Sequence, residues 1–305
     1  MTTQMSLSGR AWAELLLLGA IWGASFLSIR IALDEIPFLT SVAHRVFWAC
    51  LLLWAVALLR GLTIPKDPKI WGAFLVMGIM NNVIPFGLMS WGQLHIESGL
   101  TSIFNSATAM FGVIAAAIFF ADERLTPRKI VGVILGFFGV TIAIGLDSFR
   151  NFDLRSLAQL AVLAGTVSYA LAGVWARKHL SGLPPQIAAA GMLTGSTIVI
   201  VPVAWVIDGP ISLALQTDTI LAIGYYSLIA TAGAYLLYYR VLKMAGSGNL
   251  MLVTLLIVPF AITLGAYFRD EALNPNAYVG FGILALGLMI LDGRVWRTLI
   301  DRKTV

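Results

Sequence analysis

Apolar residues fill this chain in ten long runs, and polar residues gather in the short stretches between them. The runs fall at approximately 12–32, 39–59, 70–92, 98–120, 128–146, 157–177, 186–206, 219–240, 248–268 and 276–292. A soluble core would show shorter amphipathic elements, each with a polar stripe. Runs of about 20 apolar residues match the thickness of a bilayer's hydrocarbon core. The pattern predicts an all-helical integral membrane protein of ten spans. The first run, behind Arg10, has some features of a signal peptide, but nine more follow it, so it reads as span one.

The pattern also repeats. DERLTPRKIVGVILGFFGVTI at Asp122–Ile142 returns as DEALNPNAYVGFGILALGLMI at Asp270–Ile290, shifted by 148 positions without a gap. Shared positions include Asp122/Asp270, Glu123/Glu271, Pro127/Pro275, Gly132/Gly280 and Gly139/Gly287. A repeat of this length means a duplicated half rather than a solenoid array. The longest polar connection, around Asp147–Arg155, divides the chain into residues 1–148 and 149–305, with five spans each. Five is odd, so the two five-helix repeats must be inverted in the membrane, an architecture common among alternating-access transporters.

Composition fits: 59% of the 305 residues are hydrophobic and 11% charged. The net charge of +5 could suggest nucleic acid, but the basic residues are scattered through short connections and form no patch. They follow membrane orientation instead. With a cytoplasmic N-terminus, fifteen of the 20 Lys and Arg residues fall inside; only Arg30, Arg45, Arg150, Arg155 and Arg269 fall outside. The positive-inside rule then puts both termini in the cytoplasm. A lone Cys50 excludes an intramolecular disulfide and a cysteine metal cluster.

Charged groups at membrane depth are costly and usually functional. No Asp or Glu lies mid-span; Glu14 is one turn into span one, four residues after Arg10, where an interfacial ion pair is the simpler reading. Arg45, beside His44 one turn into span two, either meets a substrate carboxylate or snorkels to headgroups. Asn81 and Asn82 lie near the middle of span three ahead of Pro85, and Asn105 and Thr108 near the middle of span four. Such residues either face a cavity or tie helices together. Trp22 and Tyr169 sit at mid-depth and are related by a shift of 147; Trp175, Tyr235 and Tyr239 complete the aromatic candidates, the tyrosines sharing a face at i, i+4. Trp12, Trp71, Trp205 and Trp296 stand at span ends and read as interface belt. Gly19-x-x-x-Gly23, Gly132-x-x-x-Gly136 and Gly191-x-x-x-Gly195 allow close helix approach, within the chain or across a homodimer. Recurrence of Gly132 and Gly139 predicts that spans five and ten pack together, leaving substrate to the other eight. Glu123 and Glu271 are candidate gates, expected to pair with Arg128 or Lys129 and with Arg269 or another basic residue; solvated connections are the plainer alternative. Pro85, Pro202 and Pro259 are candidate hinges.

WGASF in span one, the E-x-L-x-P corners at Glu123–Pro127 and Glu271–Pro275, the glycine-spaced spans five and ten, and Pro259 twelve residues before Glu271 carry a family resemblance. The chain resembles the drug/metabolite transporter superfamily in its ten-span form with two EamA-type repeats, over nearly its full length. It departs from the pattern at Phe111, which stands where the second half has Pro259. Within the superfamily it is most similar to bacterial exporters of amino acids and related metabolites. That implies a multi-pass inner-membrane protein moving a small polar or amphipathic solute. The small four-helix pumps of the superfamily use a glutamate embedded in their first helix, and Glu14 is nearer the span end than that role requires.

The expected function is a secondary transporter exporting small metabolites, foremost amino acids with aromatic or apolar side chains, by alternating access through a central cavity. Rocking of spans 1–4 against spans 6–9 would drive it. A proton-coupled multidrug or other metabolite exporter is the alternative. A membrane enzyme on a lipid substrate would need clustered acids, histidines or a metal site; His44, His95 and His179 are far apart in sequence. No catalytic residue, metal or cofactor is expected. The partners are an amino acid or similar metabolite and the lipid bilayer, not nucleic acid; monomer and homodimer are both open.

Overall fold

A computed structural model describes residues 8–145, 153–250 and 253–292. Arg150, the boundary segment beyond its last residues Asp153–Arg155, and the C-terminal Arg294, Trp296, Arg297, Arg302 and Lys303 lie outside the described residues. The described residues form ten apolar helices and no strand. They are α1 (Gly9–Ala32), α2 (Phe38–Leu59), α3 (Pro68–Gly92), α4 (Ser98–Phe119), α5 (Pro127–Ile144), α6 (Leu154–His179), α7 (Pro185–Asp208), α8 (Thr217–Gly224, Tyr225–Gly233 and Ala234–Leu250 in succession), α9 (Val253–Arg269) and α10 (Pro275–Asp292). The first eight are each long and apolar enough to cross a bilayer; α9 and, counted to Leu291, α10 are shorter apolar helices. Starts follow local chemistry. Ser8, Asp67, Thr126 and Asp153 cap α1, α3, α5 and α6 through their side chains, and Pro68, Pro127 and Pro185 occupy first turns, where a missing N–H costs nothing.

Eight helices close a ring in the order α1–α9–α4–α6–α3–α7–α2–α8 and back to α1. Every neighbour in that ring comes from the other half of the chain. The halves are therefore interleaved, and no plane divides α1–α4 from α6–α9. This corrects the expected rocking of those two groups: the close packing of the ring lies between them, α2 on α7 and α3 on α6 among the most extensive contacts. The pairing respects the repeat, since α1–α9 corresponds to α6–α4, α1–α8 to α6–α3, and α2–α8 to α7–α3.

Helices α5 and α10 stand outside the ring and pack on each other. Their glycines make that approach possible. A Cβ at Gly139 would stand 2.5 Å from the Leu284 nitrogen, and one at Gly280 would stand 2.5 Å from the Gly139 oxygen. Gly19 and Gly23 serve α1 against Leu256 and Phe260 of α9, while Gly191 and Gly195 serve α7 against Phe74 and Leu75 of α3. The small-residue spacing is thus used within the chain. Large apolar side chains such as Leu59, Ile118 and Val206 point outward, as a lipid-facing surface requires. Trp12 and Trp205 are exposed at helix ends, whereas Trp71 turns inward, stacks on Trp54 and donates to the Pro65 carbonyl.

Candidate functional site

Two of the ring helices are distorted at matching places. Ile79–Val83 of α3 and Tyr225–Gly233 of α8 are π-helical, and a shift of 148 carries the first segment into the second. Wide turns of this kind misalign backbone carbonyls and often mark functional sites. Neighbouring helices satisfy them: Ser168 of α6 donates to the Met80 carbonyl (2.6 Å), and the Trp22 indole of α1 donates to the Ala230 carbonyl (3.0 Å). Tyr225 donates in turn to the Ile21 carbonyl.

Between these segments lies a cavity of about 490 Å³, walled by side chains from all eight ring helices and none from α5 or α10. Its size suits a small solute. Of the residues singled out from sequence, Trp22, Arg45, Asn81, Asn105, Thr108, Tyr169, Tyr235 and Tyr239 line it. Two do not. Asn82 is fully buried between α3 and α7, donating to the Ser196 hydroxyl at 2.8 Å, which is the helix-tying role. Trp175 donates to the Ala73 carbonyl and packs on His179 at the α3–α6 contact.

Arg45 corrects the headgroup alternative, because its side chain points inward. Its guanidinium lies over the Phe86 ring (3.9 Å to the centroid), and Nε donates to the Thr231 hydroxyl at 3.0 Å. Thr231 itself donates to the Tyr226 carbonyl five residues back, a bond that fits the π-helical turn. The Asn81 amide donates toward the Asn82 Oδ1 (3.3 Å), the Tyr235 hydroxyl (3.4 Å) and the Met192 sulfur (3.3 Å); the two contacts to oxygen are long and hold the amide loosely. Thr108 back-bonds to the Asn105 carbonyl at the break in α4 near Ala107. No Asp or Glu lines the cavity, and Arg45 is its one charged residue among the described residues.

Sequence reasoning missed Phe86, Gln93, Met192, Thr231 and Tyr238. Thr231 precedes Tyr235 by four and Tyr239 by eight, so the shared face was readable. Gln93 is 1% exposed and lines both the cavity and a separate pocket toward the helix ends Ala32 and Gly92. It donates to the Phe26 carbonyl (2.8 Å), and its own carbonyl oxygen has no partner among the described residues.

Charged contacts tie the ring at both ends. At the end holding Ala32 and Gly92, Asp34 bridges Arg30 and Arg269, and Glu97 holds Arg155. Glu271 departs from expectation: it accepts from Ser98 N (2.9 Å), Ser98 Oγ (2.6 Å) and Gly99 N, and it forms no ion pair with a basic residue among the described residues. The free N–H groups and positive dipole end of α4 satisfy the carboxylate there, and Asp270 in the left-handed region (φ 51) makes the turn that brings it round. At the opposite end Glu123 pairs with Lys129 (3.1 Å), as expected, and lies 3.8 Å from Arg177. Asp122 meets Arg177, whose guanidinium holds its carboxyl below the usual carboxylate range. Glu14 pairs with Arg10 and also with Arg240 of α8. Pro85 follows the π-helical turn of α3, and Pro202 and Pro259 lie inside α7 and α9. Among the described residues no cluster of His, Cys, Asp or Glu is placed to hold a metal.

The model of the EamA-like transporter family matches this sequence twice, over residues 10–145 and 156–291. The chain belongs to the EamA-like transporter family. An uncharacterized transporter of Archaeoglobus fulgidus is 27% identical over 286 residues, covering 92% of this chain and 98% of that protein. A probable amino-acid metabolite efflux pump of Escherichia coli is 24% identical over 293 residues, covering 92% and 95%. A protein of known crystal structure superimposes with a TM-score of 0.66 at 15% identity, covering 94% of this chain and 98% of that one, a likeness of fold. This EamA-family chain is a multi-pass membrane transporter, and its ring encloses the cavity described above.

Proposed function

We propose that this protein is a secondary transporter that exports small metabolites, foremost amino acids with aromatic or apolar side chains, by alternating access through the central cavity. One observation carries the reading. Arg45, the cavity's only charge among the described residues, is held by Thr231 and Phe86 and has no carboxylate beside it. A planar guanidinium with unpaired donors in a site of low dielectric binds a carboxylate strongly. Trp22, Phe86, Tyr169 and Tyr235 surround it with ring surface for an apolar side chain, and Asn81 and Asn105 supply neutral polar contacts. The efflux relative from E. coli points the same way.

Movement would open the ring at its contacts, with Pro85, Pro202 and Pro259 as bending points and Glu123 and Glu271 at the two gates. The proposed setting is a bacterial inner membrane with both termini cytoplasmic, supported by the distribution of Lys and Arg. No residue is assigned a catalytic role.

The test is uptake of labelled phenylalanine, threonine and a cationic dye by proteoliposomes holding the purified protein, with and without a pH gradient. Phenylalanine uptake without a gradient, weakened by Asn81→Ala or Tyr169→Ala, is the expected result. Dye movement that requires the gradient, with no amino-acid uptake, would sink the reading in favour of a proton-coupled drug pump.

A further inference from the structure

Resting on that reading, we infer that the cavity recognises the carboxylate of its substrate and not the ammonium. Aromatic monocarboxylates are then accepted at least as well as the matching amino acids, and aromatic amines are refused.

The polar wall is unbalanced. Arg45 uses Nε on Thr231 and its face on Phe86, while neither Nη group has a hydrogen-bond partner among the described residues. Those two groups form the fork that takes a carboxylate. An ammonium finds no carboxylate: every other polar lining side chain is a neutral hydroxyl, amide, indole or thioether, and the unpartnered Gln93 carbonyl oxygen is a neutral acceptor rather than a counter-charge. The repeat offers no compensating charge either, since the shift of 147 that carries Trp22 to Tyr169 carries Arg45 to Met192, which also lines the cavity. An α-ammonium, one carbon from the carboxylate, enters the repulsive field of Arg45 whenever the carboxylate binds. In a cavity of low dielectric that repulsion is not screened as it is in water. Removing the ammonium removes repulsion and forfeits no ion pair. Removing the carboxylate leaves a cation facing Arg45. The rings attract an ammonium through their faces; Arg45 already covers Phe86, and an attraction by Trp22, Tyr169 or Tyr235 strong enough to offset its repulsion would show as phenethylamine binding.

The experiment measures binding of labelled 3-phenylpropionate to the full-length protein in nanodiscs, displaced by unlabelled 3-phenylpropionate, phenylalanine or phenethylamine. The expected order places 3-phenylpropionate at or below the concentration needed for phenylalanine, and phenethylamine at least roughly tenfold above both. Arg45→Gln should erase that order, while Arg45→Lys keeps the order with weaker binding because it keeps the charge and loses the fork. Should the glutamine variant fail to fold, the ranking on the unaltered protein and on the lysine variant still decides. Phenethylamine displacing as well as 3-phenylpropionate, an order that survives Arg45→Gln, or no binding of the labelled acid would each overturn the inference. Binding in the expected order with no phenylalanine uptake in proteoliposomes would support this inference and overturn the amino-acid reading instead.

Discussion

The π-helical segments of α3 and α8 have the same distortion at repeat-related places, yet they present opposite chemistry to the cavity. In α3 the turn holds two amides: Asn82 is consumed by Ser196 in the α7 contact, and Asn81 hangs loosely toward Tyr235. In α8 the turn holds Thr231, which fixes Arg45, and tyrosines follow it along the same helix. Duplication supplied a symmetric scaffold, and divergence of side chains made one wall neutral and adaptable, the other a mount for a charge. On the function proposed above, a symmetric ring would expose one site to two sides, and the asymmetric lining would give that site a preferred ligand orientation.

The difference can be broken from either side. Thr231→Val removes the partner of the guanidinium while keeping its shape. A hydrogen bond to a charged group contributes about 2 kcal/mol, so phenylalanine affinity should fall by more than tenfold, read by binding in nanodiscs, with a small change in melting temperature. Asn82→Ala should do the reverse. It costs about 1–2 kcal/mol of stability, seen as a lower melting temperature, and leaves the affinity of the folded fraction within about twofold. Asn81→Ala, which removes an amide whose contacts to oxygen are long, should weaken binding by about threefold with little effect on the melting temperature. The smallest effect belongs to Trp22→Phe, which keeps the ring and leaves the Ala230 carbonyl without its donor. About 0.6 kcal/mol is expected in thermal unfolding, the average for a polar contact inside a membrane protein.

These contrasts also show what could be read from sequence. The ten spans, the α5–α10 contact and the eight-helix lining follow from the length of apolar runs and from glycines that recur at 148 positions, signals with few alternative explanations. The interleaving of the halves has no such signal, because apolar faces do not say which helix covers them. Arg45 illustrates the limit. One turn from a span end, an arginine reaches either headgroups or the interior, and only the placement of α3 and α8 around it decides. Asn81 and Asn82 are adjacent, so they face different ways on one helix; the sequence could say that one faces inward, not which. Glu271 was expected to seek a cation, and the N–H groups opening α4 served instead. Trp175 had the composition of a cavity residue and the position of a packing one.

The central claim, that Arg45 in the ring's cavity engages the substrate, is tested most directly by counterflow of labelled phenylalanine in proteoliposomes holding the unaltered protein or Arg45→Gln. Melting temperatures of the two proteins are measured beside it. Saturable counterflow by the unaltered protein, abolished in a variant that remains folded, is the result expected here. Undiminished counterflow by the folded variant would contradict the claim, and the carboxylate would then have to be met elsewhere.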